Sequence, residues 1–427
     1  MRGKAVGVMM LLCLPAAAPA QQLQLLANDI VWPDLTRFPA YPPEPGEPPP
    51  RPWQLYANLG GFYDSNLFRL SNSVNPQTVI GSSKKSDFVG RAGLGLKADV
   101  PVERQRLLFD AAVDYYAFDR FSFLDNTGYR AAAAWEWLAT EQWSGNIGAS
   151  TRRFLSGFDN IQAPIKDMIT EYRAYGSAGF RFTPRWRVRG AVDWYKWTHS
   201  SEVRQSLDND TTSGTLGLDY VTPANNSVGA QVKYTNAQYP NRQLVPGATV
   251  DNKYSQWDAS GVLHWAATGL STFDARLGYT NVDYPDVPQR NFSGVTGNLG
   301  FDWTPGTKTI VNLAAWREIR LYEDFTASYI LGQGASAGVQ WAPTFKLLYT
   351  AKVLYEHRDF LGDPLFVFTP LLPQRVDKFF GGNVMAGWSP VRWLQLALAV
   401  EAGKNTSNIP LRDYDYYRVW VNAKFLY

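Results

Sequence analysis

A strict alternation of apolar and polar residues, sustained over segments of about a dozen residues, is the feature that most constrains the fold. In the segment 88–100, Phe88 and Leu94 share one parity while Arg91 and Lys97 share the other. Successive side chains of a β-strand point to opposite faces of the sheet, so each such segment predicts a strand with one apolar and one polar face. No helical period competes over these lengths. The sequence therefore predicts an all-β fold.

Short turn sequences, most of them containing Pro or Gly, recur roughly every 40 residues along the chain. Two alternating segments and one longer polar connection lie between consecutive turns. The repeating unit is thus an up-down hairpin with a short turn at one end and a long loop at the other. The turns lie at 100–101, 139–141, 183–185, 222–225, 267–269, 304–306, 342–344 and 389–390.

Alternation alone also suits a soluble β-sandwich, but three features favour a membrane barrel. The segments are longer than the usual strand of about five or six residues and match the length needed to cross a bilayer at a tilt. The chain ends on an alternating aromatic strand, in which Phe425 and Tyr427 are the predicted insertion signal for the barrel assembly machinery. Aromatic residues also precede the short turns, as in the girdles of membrane barrels. These aromatic residues are Trp137, Phe182, Tyr220, Trp265, Trp303, Trp341 and Trp388.

Composition excludes the main competing classes. The 427 residues are 45% hydrophobic, 19% charged and 15% aromatic, with 35 Gly, which is too aromatic and too rich in glycine for a helical bundle. No run of about 20 apolar residues occurs beyond the extreme N-terminus, which argues against a polytopic helical membrane protein. The formal net charge of +3 gives no reason to expect a nucleic-acid partner.

The N-terminus has the form of a secretory signal peptide. Arg2 and Lys4 precede an apolar run at 6–14, and small residues lead to a cleavage site after residue 20. We predict that residues 1–20 are removed on secretion. The single cysteine, Cys13, lies inside this segment, so the mature chain has no thiol for a disulfide, a nucleophile or a metal.

Residues 21–52 form a proline-dense stretch that has few donors for a sheet and little apolar area for a core. We predict an extended periplasmic leader, with a proline-rich ligand for a partner as the alternative. Residues 53–427 then form the domain, an antiparallel up-and-down transmembrane β-barrel of about 18 strands in the outer membrane of a Gram-negative cell. Its first predicted partners are the outer-membrane lipids.

An even strand number places both ends of the barrel sequence in the periplasm. The eight short turns are then periplasmic and the long loops extracellular. Closure leaves no strand edge unpaired in lipid. The predicted extracellular loops lie near 65–86, 155–168, 199–210, 239–251 and 359–376.

Side chains on the polar parity would face the lumen, where both charge signs occur. A barrel this wide can enclose an aqueous channel unless a loop fills it. Aromatic rings on this parity could stack on sugars beside charged groups that bond the hydroxyls, although packing against the wall is the alternative for each ring. The candidate aromatic contacts are Tyr195, Trp197, Trp316, Tyr416 and Trp420.

The densest predicted basic patch consists of Arg173, Arg187 and Arg189, which share the lumen parity of two strands joined by the turn at 183–185. We expect pairing to gather them toward the periplasmic half of one wall. They could guide an acidic polymer or select small anions. Alternatively, they could brace the wall by bonding acidic neighbours across strands.

Enzymatic interpretations find little in the sequence. The three histidines, His199, His264 and His357, have no spacing that resembles a metal site, and no Ser, His and acid set or carboxylate pair stands out. We predict no catalytic residue, no metal and no cofactor.

The stretch 56–70 resembles the opening of EpsL-type outer-membrane proteins, which are porin-like barrels of exopolysaccharide gene clusters. The residues 63–69 match the family's Tyr-Asp-x-Asn-aliphatic-Phe-Arg run. Within it, Asp64 and Asn66 suit bonds to nearby backbone amides, and Arg69 suits a carboxylate or an acidic glycan. A structural role in fixing the first hairpin is the favoured interpretation.

The resemblance implies that the protein takes part in exopolysaccharide export, with the polymer and periplasmic or inner-membrane export components as partners. It implies no catalytic or ligand residues. Export is therefore the leading predicted function. A diffusion porin for small solutes has the same architecture and is the alternative, and an outer-membrane hydrolase is a distant third.

Overall fold

The computed structural model describes residues 51–159, 161–245, 248–321, 329–361 and 374–427. The predicted signal peptide, nearly all of the leader and part of the loop near 359–376 lie outside these residues. Among the described helices, none has the length and apolar character needed to cross a membrane.

The described chain contains twenty strands and one short α-helix, α1 (Pro76–Ile80). The barrel strands run from the 12 residues of β1 to the 16 residues of β2, long enough to cross a bilayer at a tilt. The strands are β1 (Trp53–Asp64), β2 (Asp87–Val102), β3 (Gln105–Phe118), β4 (Asn126–Leu138), β5 (Trp143–Leu155), β6 (Met168–Thr183), β7 (Trp186–His199), β8 (Asn209–Val221), β9 (Ser227–Gln238), β10 (Gln243–Val245), β11 (Ala248–Val250), β12 (Tyr254–Thr268), β13 (Ser271–Asp283), β14 (Phe292–Gly306), β15 (Thr309–Leu321), β16 (Tyr329–Thr344), β17 (Leu347–Leu361), β18 (Val376–Val391), β19 (Leu394–Ser407) and β20 (Tyr414–Leu426).

Eighteen of these strands form one closed antiparallel sheet, which confirms the predicted barrel and its strand number. Each strand pairs with its neighbours in the chain, except that β9 pairs with β12 because β10 and β11 form a separate hairpin. The first and last strands close the ring. Asp64 of β1 lies opposite Arg418 of β20, and Tyr56 lies opposite Leu426.

The apolar parity points away from the lumen. Leu94 and Leu216, for example, are 70% and 65% exposed at the outer face of β2 and β8. Such a surface would be costly in water and is suited to lipid. At the end with the short turns, the predicted girdle residues Phe182, Trp303 and Trp388 are also exposed on this face.

The main buried cluster lies inside the barrel and runs from the opposite end along the lumen wall to Leu348, near a short turn. It joins lumen-facing residues of the wall, such as Phe62 and Trp420, to residues of the long loops, such as Phe68 and Phe158. We call the two ends the short-turn end and the long-loop end. The loops that fold inward at the long-loop end position the site described next.

Candidate functional site

Salt bridges line the lumen wall. Arg91 and Asp114 face each other on β2 and β3, with 2.7 Å between Nη2 and Oδ1. Arg276 and Glu318 pair across β13 and β15, with 2.8 Å between Nη2 and Oε1. Pairs of this kind put charge along the channel while leaving most of it locally neutral.

The first long loop, residues 65–86, turns back toward the lumen as soon as β1 ends. Asp64 accepts two bonds of 3.0 Å from the guanidinium of Arg69, and Nε of Arg418 lies 2.5 Å from Oδ2 of the same carboxylate. The Asn66 side chain accepts from the amide of Leu70 at 2.9 Å and donates to its carbonyl oxygen at 2.8 Å. Asp64, Asn66 and Arg69 are all buried. They hold the loop in its inward turn.

Arg69 is the centre of this turn. Its backbone has a φ of 55°, in the left-handed region, so the surrounding bonds must hold a conformation that a non-glycine residue rarely adopts. Burial lowers the pKa of the Arg69 guanidinium, but the carboxylates of Asp64 and Asp159 outweigh burial, so the pKa lies above its ordinary value. Arg69 is therefore a permanent positive charge that pairs with a fully buried carboxylate, Asp64, and a partly buried one, Asp159.

Apolar residues of the same loop anchor it. Phe68 is fully buried and contacts two other loops, with its ring centroid 4.8 Å from that of Phe121 and 4.6 Å from that of Phe158. Leu67 and Leu70 on either side are also buried. The first loop is thus packed against Phe121 and Phe158 of the two neighbouring loops rather than extended into solvent.

The loop between β5 and β6 reaches far across the mouth. Oδ1 of Asp159 lies 3.0 Å from the hydroxyl of Tyr414 on β20 and 3.3 Å from Nε of Arg69. Gln162 donates to the carbonyl oxygen of Arg69 at 2.6 Å. We call residues 65–70, 156–159 and 161–162 together the loop bridge.

The size of the barrel shows where the loop bridge lies. Eighteen strands spaced about 4.8 Å apart and tilted by about 40° enclose a barrel about 35 Å in backbone diameter. β5 and β20 are five positions apart around the ring, a straight span of roughly 25 Å. A loop that starts at β5 and contacts a lumen-facing side chain of β20 must therefore cross part of the lumen.

The predicted aromatic contacts on the wall near the loop bridge are engaged in packing. The guanidinium carbon of Arg69 lies 3.6 Å from the ring centroid of Tyr416, whose hydroxyl donates to Glu401 at 2.7 Å. Trp420 is 1% exposed and lies against Phe62, with ring centroids 4.4 Å apart. The Trp420 ring is closed to a solute, and the Arg69 guanidinium covers one face of the partly exposed Tyr416 ring.

Trp316 is likewise buried, and it is part of a charged cluster. Its indole nitrogen donates to Glu356 at 2.9 Å, and Glu356 also pairs with Arg320 and Arg358, each with an N–O distance of 2.6 Å. By contrast, Tyr195 and Trp197 on β7 remain half-buried, with ring centroids 5.5 Å apart. These two rings are the predicted aromatic contacts that lie partly exposed away from the loop bridge.

The three predicted arginines do not form one patch. Arg187 and Arg189 lie near the turn between β6 and β7, and both bond Asp219. Arg173 lies opposite Tyr195, eight residues farther along β7 than Arg187, a separation of roughly 25 Å. It pairs instead with Asp193, with 2.7 Å between Nη2 and Oδ2. Arg173 precedes the turn at 183–185 by ten residues, whereas Arg187 follows it by two. In an antiparallel hairpin the two residues therefore lie at different heights in the wall.

The C-terminal aromatics lie on the outer face at the short-turn end. Phe425 stacks against Trp393, with ring centroids 6.3 Å apart, and Tyr427 is highly exposed. The guanidinium of Arg51 lies over the rings of both Trp53 and Tyr427. This placement suits recognition during assembly, and the insertion role stays a prediction.

A family model described as "Putative beta-barrel porin 2" matches residues 57–427. The chain belongs to this family. It is a porin-like barrel of the outer membrane, and the narrower EpsL-type association stays a prediction. A comparison with curated protein sequences finds no match.

Solved structures with similar folds include other porins. A BenF-like porin from Pseudomonas fluorescens Pf-5 is 10% identical over 88% of this chain and 99% of that one, with a TM-score of 0.48. OccK2 (OpdF) of Pseudomonas aeruginosa, solved with glucuronate, is 10% identical over 87% and 98% of the two chains, with a TM-score of 0.47. OprD of the same organism is 9% identical over 88% and 94%, with a TM-score of 0.44. At these values, no substrate can be transferred to this porin-like barrel.

No sequence pattern of this porin-like barrel indicates the residues that join its distant elements. Asp159 and Gln162 lie in a loop with no periodic pattern, and Tyr414 is 255 positions from Asp159. Asp219 is recognisable as a lumen residue by its parity, but nothing local indicates that two arginines share it. Asp219 could have been found by looking for an acidic residue on the lumen face of the strand that follows two lumen-facing arginines. No sequence pattern indicates the role of Asp159.

Proposed function

We propose that the barrel is a diffusion porin for small solutes. The observation that supports this function most directly is the loop bridge, in which Asp159 contacts both Arg69 and Tyr414. A loop held across part of the lumen by charged and hydrogen-bonded contacts narrows the passage and limits the size of what can cross. Membership of a porin family agrees with this function.

The same observation disfavours export of a polymer, which was the leading function predicted from the sequence. A polysaccharide chain needs a continuous wide channel, and the loop bridge obstructs part of the mouth. The motif that suggested export, residues 63–69, is occupied by structural contacts, since Asp64 and Arg69 bond each other inside the barrel. Export therefore ranks second, with exopolysaccharide and export components as its proposed partners.

Reconstitution tests the porin function. The purified full chain, inserted into planar bilayers, should give discrete ionic conductance steps. In liposome-swelling experiments, permeation should fall steeply between monosaccharides and oligosaccharides. A barrel that is inserted and heat-modifiable yet gives no conductance, or that passes oligosaccharides as fast as monosaccharides, would contradict the proposal.

A deletion strain provides the complementary measurement. A diffusion porin should leave secreted exopolysaccharide unchanged while slowing uptake of small solutes through the outer membrane. Loss of secreted polymer, restored by the wild-type gene on a plasmid, would favour export instead.

A further inference from the structure

One position on the lumen wall has more positive than negative charge. The carboxylate of Asp219 is nearly fully buried and accepts from two arginines. Its Oδ2 lies 2.8 Å from Nη2 of Arg187 and 2.6 Å from Nε of Arg189, and its Oδ1 lies 2.9 Å from Nη2 of Arg189. One carboxylate balances only one guanidinium, so this group keeps a charge of about +1.

A third arginine adds to the excess. Arg181 lies opposite Arg187 in the β6–β7 register, and alternation puts both side chains on the lumen face. Within the described ranges, Arg181 has no acidic residue within ion-pair distance. Arg181, Arg187, Arg189 and Asp219, which we call the basic wall site, therefore carry a net charge of about +2.

Glycines make room for this cluster. A Cβ atom at Gly229 would lie 2.3 Å from Oδ1 of Asp219, a distance too short for any real Cβ contact. A Cβ atom at Gly217 would lie 3.0 Å from Nη2 of Arg189. Both glycines face the lumen beside the cluster, because Gly217 pairs with Arg189 and Gly229 pairs with Asp219. The wall thus admits the carboxylate and one guanidinium only because these positions have no side chain.

The arginines keep donors for a further acceptor. Each guanidinium has five N–H donors, and Nη1 of Arg187 and of Arg189 bonds no acceptor among the described residues. The two side chains are 19% and 22% exposed, so their outer edges face the lumen. An anion in the channel can reach these donors without displacing Asp219.

Other lumen arginines differ from these in their partners or in their exposure. Glu356 also pairs with two arginines, Arg320 and Arg358, but these lie toward the long-loop end and are only 13% and 11% exposed. Elsewhere the lumen arginine Arg173 has its own acid, Asp193, and Arg276 has Glu318. At the same end of the barrel, the wall of β13 and β14 presents Asp274 and Asp302 instead. A solute at the short-turn end therefore meets one basic side and one acidic side.

We propose that the basic wall site binds the carboxylate group of small organic anions as they cross the barrel. Guanidinium groups bind carboxylates through short, charge-assisted bonds in a matching planar geometry. The proposal rests on the proposed diffusion function and adds to it a substrate class and the residues that recognise it.

The test compares wild type with Arg181→Gln and with the double variant Arg181→Gln, Arg189→Gln, in which Arg187 still pairs with Asp219. Arg106→Gln is the matched control, because Arg106 is a lumen arginine near the same end that pairs with Asp99 in an exposed position. Reversal potentials are measured in gradients of potassium chloride and of potassium acetate. Block of the chloride current is measured with benzoate as the carboxylate probe.

The wild type and the control should prefer anions and should show the same half-blocking concentration of benzoate. Loss of a charge-assisted bond should raise that concentration about tenfold in the double variant and by less in the single variant. Unchanged block and unchanged acetate permeability in a conducting, heat-modifiable double variant would overturn the proposal. A change in chloride selectivity without a change in benzoate block would overturn the carboxylate assignment. Absence of conductance in the wild type would contradict the diffusion function instead.

Discussion

At the scale of single residues, the buried charges are the most sensitive positions. Asp64 and Arg69 form a two-bond pair inside the barrel, whereas Arg106 and Asp99 form a similarly close pair that is about half exposed. Solvent weakens the exposed pair, whereas removing Arg69 from the buried pair leaves the Asp64 carboxylate with Arg418 as its remaining guanidinium partner. Breaking the buried ion pair therefore costs more folding free energy than breaking the exposed one.

We expect Arg69→Ala to destabilise the folded barrel by about 2–3 kcal/mol, because Asp64 loses one of its two arginines and Asp159 loses its ion pair with a buried guanidinium. The control Arg106→Ala should cost at most about 1 kcal/mol. Urea unfolding in detergent, followed by tryptophan fluorescence, measures both values. An equal loss of unfolding free energy in the two variants would contradict the structural role assigned to Arg69.

At the scale of elements, the long loops form a connected rim. Arg204 in the loop after β7 pairs with Asp167 at 2.9 Å, and Asn241 in the loop after β9 donates to the carbonyl oxygen of Gln205 at 2.9 Å. The loop bridge continues this network into the lumen. The short turns make contacts between neighbouring turns instead; Asn226, for example, accepts from the backbone amide of Ala266 at 2.8 Å.

Opening the loop bridge should widen the pore. In Asp159→Ala the loop after β5 loses the carboxylate contacts to the Arg69 guanidinium and the Tyr414 hydroxyl and keeps the bond from Gln162 to the Arg69 carbonyl oxygen. Because the contact to β20 is lost, we expect a higher single-channel conductance, by roughly half or more. Glu141→Ala, in an exposed short turn, is the control and should conduct like the wild type. Identical conductance in all three proteins would show that the loop bridge does not limit the passage.

The last strand, β20, is predicted to carry the assembly signal on its outer face. Changing Phe425 and Tyr427 together to Ser should leave secretion into the periplasm intact and lower the amount of heat-modifiable protein in the outer membrane. Leu426→Ser changes the opposite face of the same strand and should have a smaller effect. Membrane levels are measured by fractionation, and normal insertion of the double variant would remove this interpretation.

At the scale of the whole molecule, closure between β1 and β20 is what makes the sheet stable in lipid, because it satisfies the last two strand edges. Gly60 lies at this seam. A Cβ atom there would lie 2.5 Å from the carbonyl oxygen of Val421, whereas a Cβ atom at Gly190, on β7, meets nothing within 4 Å.

We therefore expect Gly60→Val to lower the temperature at which the barrel unfolds in detergent electrophoresis, because the two closing strands must separate to admit the side chain. Gly190→Val should keep the temperature of the wild type. A Gly60→Val barrel that is as heat-resistant as Gly190→Val would contradict the tight contact at the seam.

The sequence by itself determined the strand number, the two faces of each strand, the short turns and the closed barrel. These features depend on a period of two residues and on turn chemistry, which are local properties of the chain. Tertiary structure alone decided the contacts between distant residues: Asp159 contacts Tyr414, and Asp219 pairs with both Arg187 and Arg189.

The predicted gathering of Arg173 with these two arginines was wrong, because parity indicates which face a residue occupies while the pairing register sets its height in the wall. Likewise, Trp316 and Trp420 face the lumen as predicted yet are buried, since burial depends on side chains that arrive from other strands and loops.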